Sequence, residues 1–315
     1  MEKSVVKQVS GNSDISKDGK VCFSKVGGQA VIDGVMMRNK NKVAVSVRTS
    51  KGKIVSKTVN MSLLSDKYVT LKWPLIRGVY NLFSSMIIGM RTLMWSTNMH
   101  IEKEEEKIST KEMFITILIS LVFAIGIFVL LPLFLTNLLV HKAGIFFNVV
   151  DGVFRVLFFI AYILLISLMP DVKRVFMYHG AEHKSIYCYE HKLPLTVKNA
   201  KRFSRLHPRC GTNFLVIVLF IMVFLHTFIV TDVFYEQFLL RIALLPIIAA
   251  ISYEVLMFSA KYNNFFTRFV YNVGFLFQRL TTKEPDDKMI EVALTSLKLV
   301  VKDDKKRGDT VSDMS

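Results

Sequence analysis

The sequence predicts a mainly α, polytopic membrane protein that carries a small α+β part on one side of the membrane. The first observation is composition, since 52% of the 315 residues are apolar and 25 residues are phenylalanine. The second is that the apolar residues are gathered into four long runs, at 113–131, 144–169, 214–230 and 238–260. At about 1.5 Å per helical residue, each run can cross a hydrocarbon core of about 30 Å. We therefore expect four transmembrane helices, arranged as two hairpins.

The third observation is the distribution of positive charge, which predicts the orientation. Four spans put residues 1–112, 170–212 and 261–315 on one face, and these segments contain 19, 9 and 10 of the 41 lysines and arginines. The loops on the opposite face hold essentially Lys142 alone. Short loops rich in basic residues stay on the cytoplasmic side. The chain is therefore predicted to be a multi-pass membrane protein with both termini in the cytoplasm.

These patterns divide the chain into seven segments. The first has no apolar core of a signal peptide and is expected to be a disordered arm. In chain order, the expected segments are the arm (1–20), a cytoplasmic β-hairpin region with an interfacial helix (21–112), transmembrane helices 1 and 2 (113–169), a cytoplasmic His/Cys loop (170–212), transmembrane helices 3 and 4 (213–260), interfacial and soluble helices (261–301) and a disordered tail (302–315).

Local patterns predict several elements in the first part of the chain. Residues 42–48 and 53–59 alternate apolar and polar side chains around a glycine-containing turn, which is typical of a β-hairpin. The Gly27-Gly28 pair predicts a tight backbone bend beside a further strand. The apolar residues of 74–99 predict a helix, and its arginines favour the membrane interface over a fifth span.

Polar residues mark the boundary and the interior of the predicted spans. Ser109 and Glu112, just before the first span, have the spacing of a capping box. Asp151 and Arg155 lie four residues apart in the second span, so they can form an ion pair on one helix face. Charged pairs inside a membrane either stabilise the bundle or serve transport, and so few of them favour the structural role.

The densest group of metal-binding residue types lies in YHGAEHKSIYCYE, residues 178–190. His179 and His183 are four residues apart, so on a helix both side chains face the same way and can bind one divalent ion. Glu182 lies beside them, where a carboxylate can accept a proton from an activated water molecule if the protein is an enzyme. The spelling H-x-x-E-H is that of the inverzincin metalloproteases, although so short a match is not specific by itself.

Residues further along the chain can complete this site. His207 and Cys210 lie on the same predicted loop and have the spacing of the second ligand pair of a structural zinc site. Glu254, near the cytoplasmic end of the fourth span, is a weaker candidate ligand. We expect a divalent metal, and zinc matches these ligands best. Four protein ligands would make a closed structural site, whereas two or three would leave an open site with Glu182 as its base.

Five segments carry a resemblance to one family. They are GGQAVIDGVMMR, YHGAEHKSIYCYE, RFSRLHPRCGTNFL, ISYE and QRLTTKEPDD. In this order they resemble the YqhQ-like bacterial membrane proteins, a family defined by a domain of unknown function (DUF1385), over about residues 22–295. The resemblance implies a shared membrane topology and a metal-dependent enzyme, while the frequent location of such genes near translation genes implies a different role. Asp33 departs from the family pattern, which commonly has glutamate there.

Two classes of function follow from these features. The first is a non-catalytic factor of membrane-protein biogenesis that associates with the ribosome or the translocation machinery, and whose basic face binds anionic lipids or RNA phosphates. The second is a membrane-embedded metal-dependent hydrolase with an HxxEH-type site. The sequence favours the first class, with a structural metal and no DNA partner. The candidate polyanion-binding residues are Lys198, Lys201, Arg202, Arg205 and Arg209.

Overall fold

The computed structural model describes residues 26–309, apart from 62–63, 65–67, 102–106, 143, 209 and 262–264, so the predicted N-terminal arm and the last six residues lie outside it. Helices predominate and one small sheet is present. The strands are β1 (Val26–Val31), β2 (Gly34–Asn39), β3 (Lys42–Arg48) and β4 (Ile54–Asn60). The helices are α1 (Ile76–Asn98), α2 (Thr110–Ile125), α3 (Leu131–Leu139), α4 (Ile145–Ser167), α5 (Pro170–Glu190), α6 (Val197–Ala200), α7 (Gly211–His226), α8 (Phe234–Lys261), α9 (Phe265–Thr281) and α10 (Asp287–Asp309), with a 3₁₀ turn at Val69–Lys72 and a π-helix at Gly126–Leu130 that joins α2 to α3.

The predicted hairpin is present as β3 and β4, but it is half of a larger sheet. The four strands pair antiparallel in the order β1-β2-β3-β4. The predicted bend at Gly27-Gly28 is wrong, because both residues lie within β1 and pair with β2. Gly28 is needed there for close packing, since a Cβ atom at this position would lie 2.6 Å from the carbonyl oxygen of Met36.

The sheet lies between two groups of helices. Because successive side chains of a strand point to opposite faces, Val43, Val45 and Val47 of β3 pack toward Ile88 of α1. Ala44 points the other way, into a core that α5 and α10 build together with β2. Both faces of β3 are therefore buried, whereas most of β4 is exposed at the edge of the sheet.

Three helical segments are long and apolar enough to cross a membrane. They are Thr110–Leu139, Ile145–Ser167 and Phe234–Ser259. The third predicted span corresponds to α7, an apolar helix of 16 residues. At about 1.5 Å per residue it extends about 24 Å, which is less than the hydrocarbon thickness. The length and apolar composition of these three helices indicate that the chain is membrane-associated. The count of four spans stays a prediction.

A buried ionic cluster joins these apolar helices. Asp151 of α4 accepts from Arg155 on the same helix at 2.9 Å and from Arg241 of α8 at 3.3 Å. Arg155 also donates to the carbonyl oxygen of Phe128 in the π-helix at 2.9 Å. Pro132 has no N–H to bond that carbonyl across a helical turn, so the guanidinium supplies the missing donor. The predicted pair of Asp151 and Arg155 is thus part of a three-residue cluster.

Helix ends follow the sequence signals with one difference. The predicted capping box is present, since Ser109 accepts from the backbone N–H of Glu112 and the Glu112 carboxylate accepts from the Ser109 N–H at 2.8 Å. Asp286 accepts from the Met289 N–H at 2.7 Å and thereby caps α10. That helix continues to Asp309, into the segment expected to be a disordered tail.

Helix α1 is fixed to the C-terminal half of α8. Gly78 of α1 lies against Tyr253, and the Tyr253 hydroxyl accepts from the Asn81 amide at 2.8 Å. Beyond this contact, α1 leaves Phe83 and Ile87 exposed on one side. Exposed apolar side chains of this kind are expected where a helix lies on a bilayer surface.

Replacing Asp151 by alanine should destabilise the protein strongly, because two fully buried guanidinium groups would lose their only acidic partner among the described residues. We expect a loss of about 3–5 kcal/mol in the free energy of unfolding, measured by thermal or denaturant unfolding in detergent. Glu291→Ala is the matched control, since Glu291 pairs with Arg48 at the surface and should contribute less than about 1 kcal/mol. Equal losses in the two variants would contradict a structural role for the buried cluster.

Candidate metal centre

The two histidines of the YHGAEH segment lie on one face of α5. The segment was predicted to be part of a loop, but residues 170–190 form a regular helix that begins with Pro170, a residue favoured in the first helical turn. The helical spacing brings the rings of His179 and His183 together, with centroids 4.5 Å apart. The predicted meeting of His179 and His183 is therefore confirmed, whereas the prediction that they lie in a loop is wrong.

Cys210 completes a group of three candidate ligands. The ligand atoms of His179, His183 and Cys210 all lie within 4.8 Å of one another. The Nε2 atom of His179 is 3.1 Å from the Cys210 sulfur. Cys210 is the residue immediately before α7, so the cluster joins the start of an apolar helix to the middle of α5.

Backbone carbonyls hold both imidazole rings from behind. The Nδ1–H of His179 donates to the Thr281 carbonyl at 2.9 Å, and that of His183 donates to the Arg205 carbonyl at 2.5 Å. With Nδ1 protonated, each Nε2 of a neutral ring carries a lone pair that points into the cluster. The His183 Nε2 is buried and has no hydrogen-bond partner among the described residues. Metal-binding histidines are typically held in this way, so the residues fit a metal ion.

The protonation states also suit a metal ion. Burial lowers the pKa of His183, which favours the neutral, ligating form. Burial by itself raises the pKa of the Cys210 thiol. The nearby His183 and the hydrogen bonds with Thr212 lower this pKa by more, so it lies below its usual value. Two neutral imidazoles and a thiolate are a ligand set preferred by zinc.

Glu182 lies beside the cluster in a buried position. Burial raises the pKa of its carboxyl to about 7, against the lowering influence of His179 and of a hydrogen bond from the Gly28 N–H. Gly28 brings its backbone to the carboxylate, because a Cβ atom there would lie only 3.0 Å from the Glu182 side chain. The edge of the sheet thus fixes the one acidic side chain that the YHGAEH segment supplies.

The cluster and Glu182 line a single cleft of about 830 Å³. The glycine part of β1 lines this cleft, and so do apolar side chains near the end of α8, such as Leu256 and Met257. Most of the lining is apolar. A cleft of this size with a few converging polar groups is typical of a small-molecule site.

The other two predicted ligands have different partners. The Nε2 of His207 is bonded to the Glu190 carboxylate at 3.1 Å, although its ring lies next to that of His183. Glu254 accepts from the Arg77 guanidinium at 2.8 Å and helps to fix α1 to α8. Among the described residues, the metal-ligand group therefore comprises three of the five predicted ligands.

The residues predicted to bind polyanions divide into two groups. Lys198 and Arg202 are exposed. Lys201 pairs with Asp287 at 2.7 Å, and Arg205 is half-buried and donates to the Thr282 hydroxyl at 3.1 Å. Arg209 lies outside the described residues.

Sequence patterns missed the groups that support the cluster. Gly180 has no room for a Cβ atom, which would overlap the Lys283 carbonyl oxygen, and the Lys283 N–H donates to the Phe176 carbonyl at 2.8 Å. These contacts bring Thr281 against α5. Gln278 bonds both the N–H and the carbonyl of His207, each at 2.9 Å. These supporting residues belong to the segment QRLTTKEPDD. Its polar residues do not repeat on one helix face, so the sequence pattern did not indicate their role.

Purified protein should contain about one divalent ion per chain. His179→Ala and His183→Ala should abolish its retention, and Cys210→Ser should weaken it, because a hydroxyl is a much poorer zinc ligand than a thiolate. Glu254→Gln should retain the ion as the matched control, since Glu254 is bonded to Arg77. The measurement is elemental analysis of detergent-purified protein. Retention of the ion by the histidine variants would contradict this site.

The comparisons with known proteins place the chain in a family. The family model described as "Protein of unknown function (DUF1385)" matches residues 73–303. The Bacillus subtilis (strain 168) protein named "Uncharacterized protein YqhQ" is 32% identical over 286 residues, which cover 86% of this chain and 90% of that protein. No solved structure matches the chain significantly. Four of the five segments that resembled this family lie within the matched residues 73–303, and the chain belongs to the DUF1385 family.

Proposed function

We propose that this chain is a membrane-embedded, metal-dependent hydrolase. His179, His183 and Cys210 would bind the ion, and Glu182 would act as the base. The observation that carries the proposal is that these four side chains line one cleft. This reverses the preference drawn from the sequence for a non-catalytic factor with a structural metal.

The number of ligands argues for an open centre. Structural zinc sites have four protein ligands, whereas catalytic sites have three and leave a position for water or substrate. The fourth predicted ligand, His207, is held by Glu190 instead. Glu182 is also buried beside the ligands and lines the cleft, a position typical of a functional carboxylate.

The chemistry assigned to the protein is hydrolysis of an ester or amide bond. A bound divalent ion would supply Lewis acidity that makes a water molecule a stronger nucleophile. The Glu182 carboxylate would take the proton from that water as its oxygen bonds to the carbonyl carbon. The same carboxyl group would then return the proton to the leaving oxygen or nitrogen as the old bond breaks. The Gly28 N–H would keep the carboxylate oriented during both transfers.

The non-catalytic role in membrane-protein biogenesis stays a prediction. It requires a basic face that binds anionic partners. Lys198, Lys201 and Arg202 are exposed, and Lys201 is engaged by Asp287, so the test concerns Lys198 and Arg202. If that role holds, replacing these two residues should weaken association with ribosomes or anionic vesicles.

We also propose that the bacterial inner membrane is crossed four times with both termini cytoplasmic. This orientation rests on the positive charge of the segments that flank the apolar helices. Reporter fusions at Leu193 and after Ser315 should report a cytoplasmic location, and a fusion at Lys142 an external one. An external signal at Leu193 would contradict this orientation.

Glu182→Gln should abolish hydrolysis while the metal and the fold are retained, because the amide keeps the shape but cannot accept the proton. We expect a fall in kcat of about 10²–10⁴-fold on chromogenic ester or anilide probes with short and long chains. Elemental analysis and thermal unfolding report metal and fold. Asp171→Asn is the matched control, since Asp171 is exposed in the first turn of the same helix, and this variant should stay active. A metal-loaded wild-type protein no faster than Glu182→Gln on every probe would overturn the proposal.

A further inference from the structure

A second cleft of about 550 Å³ borders the first across strand β1. Gly27, Gly28 and Gln29 line both clefts. The second cleft continues between β2 and α1, where Ser85 and Ile88 form part of its wall. The two clefts therefore meet over one short stretch of the edge strand.

The glycine pair leaves the passage between the clefts open. No atom lies within 4 Å of the position that a Cβ atom of Gly27 would occupy. Gly27 and Gly28 are both exposed, although β1 is otherwise half-buried or buried. A larger residue at Gly27 would therefore begin in open space. A single molecule can thus extend from one cleft into the other.

The first cleft ends at apolar side chains of the membrane-associated helices. Leu256 and Met257 belong to the last turns of α8, and the candidate span in that helix ends at Ser259. Tyr271 of α9 also lines the cleft, while Phe269 of the same helix is exposed. An apolar chain that leaves the bilayer surface would find a continuous apolar wall here.

The second cleft ends at two cations. Arg38 and Lys40 line it, and neither has an acidic partner among the residues that the structure describes. The Arg38 Nε donates to the Lys40 carbonyl at 3.0 Å, which holds the guanidinium beside the cleft. Arg38 is also the cross-strand neighbour of Gly27. The positive charge therefore lies directly next to the open passage.

We infer that the substrate is a membrane amphiphile with an apolar chain and an anionic, phosphate-type head group. The chain would lie along Leu256 and Met257, the head group would reach Arg38 and Lys40, and the bond to be cleaved would lie at Glu182. This assignment rests on the proposed hydrolase and names the substrate class of the same site.

An extended peptide fits the clefts less well. Peptides that bind a sheet edge do so through unused backbone N–H and carbonyl groups. The Gly28 N–H at the centre of the passage is already bonded to Glu182. A lipid can contact the apolar lining with its chain and the two cations with its head group, and it needs no backbone hydrogen bonds to do so.

Binding of fluorescent single-chain lipids to Glu182→Gln protein in neutral detergent tests this inference without any hydrolysis. One probe has a phosphate head group, and its partner has the same chain and a phosphocholine head group. We expect the phosphate probe to bind about tenfold more tightly at low salt, because two cations face its head group. The combined Arg38→Gln and Lys40→Gln variant should remove this difference. Lys57→Gln is the matched control, since Lys57 is exposed on β4, away from both clefts, and should leave the difference intact.

Three outcomes would overturn the inference. The first is equal affinity for the two head groups, and the second is an unchanged preference after Arg38 and Lys40 are replaced. The third is displacement of the probe by inorganic phosphate, or by an acidic peptide, at the concentration at which the lipid itself displaces it. Because binding is measured in the Glu182→Gln protein, loss of the head-group preference leaves the hydrolase proposal intact. If no hydrolysis is found, the binding measurement still tests the head-group preference.

Discussion

The contact between α5 and the turn after α9 is the constraint on which the candidate metal centre depends. Gly180 has no side chain, so the Lys283 carbonyl can lie directly against the helix, and the Lys283 N–H bonds the Phe176 carbonyl. This contact holds the Thr281 carbonyl 2.9 Å from the Nδ1 of His179. Since an imidazole binds a metal well only when its other nitrogen is held, a backbone contact two residues away sets the direction of the ligand.

The cluster also couples the small sheet to the apolar helices. Cys210 begins α7, and α7 is fixed to α9 by the close approach of Asn213 to Gly274 and by a 3.1 Å bond from Gln278 to Asn213. On the other side, β1 supplies the Gly28 N–H to Glu182. Changes in the packing of these apolar helices would therefore move one ligand relative to the base.

Local sequence patterns predicted much of the fold and the two histidines of the site. The helical spacing of His179 and His183, the capping box at Ser109 and the β3–β4 hairpin all depend on residues close in sequence, and each is present. The choice among the remaining ligands was not predictable, because residue type cannot distinguish His207 from Cys210 when the deciding partner is Glu190. Glu254 is likewise engaged by Arg77, which is 177 residues away along the chain. The glycine pair in β1 resembled a turn because the role of Gly28, close approach to Glu182, exists only in the folded protein.

The central claim is that two histidines and one cysteine form an open metal centre beside Glu182. X-ray absorption spectroscopy at the zinc edge of metal-loaded, detergent-purified protein tests it most directly. The account predicts one sulfur neighbour at about 2.3 Å and two imidazole nitrogens at about 2.0–2.1 Å, with a further light atom from solvent. A spectrum without sulfur, or one that fits three imidazoles and one sulfur, would contradict it, since the first would remove Cys210 and the second would close the site with His207.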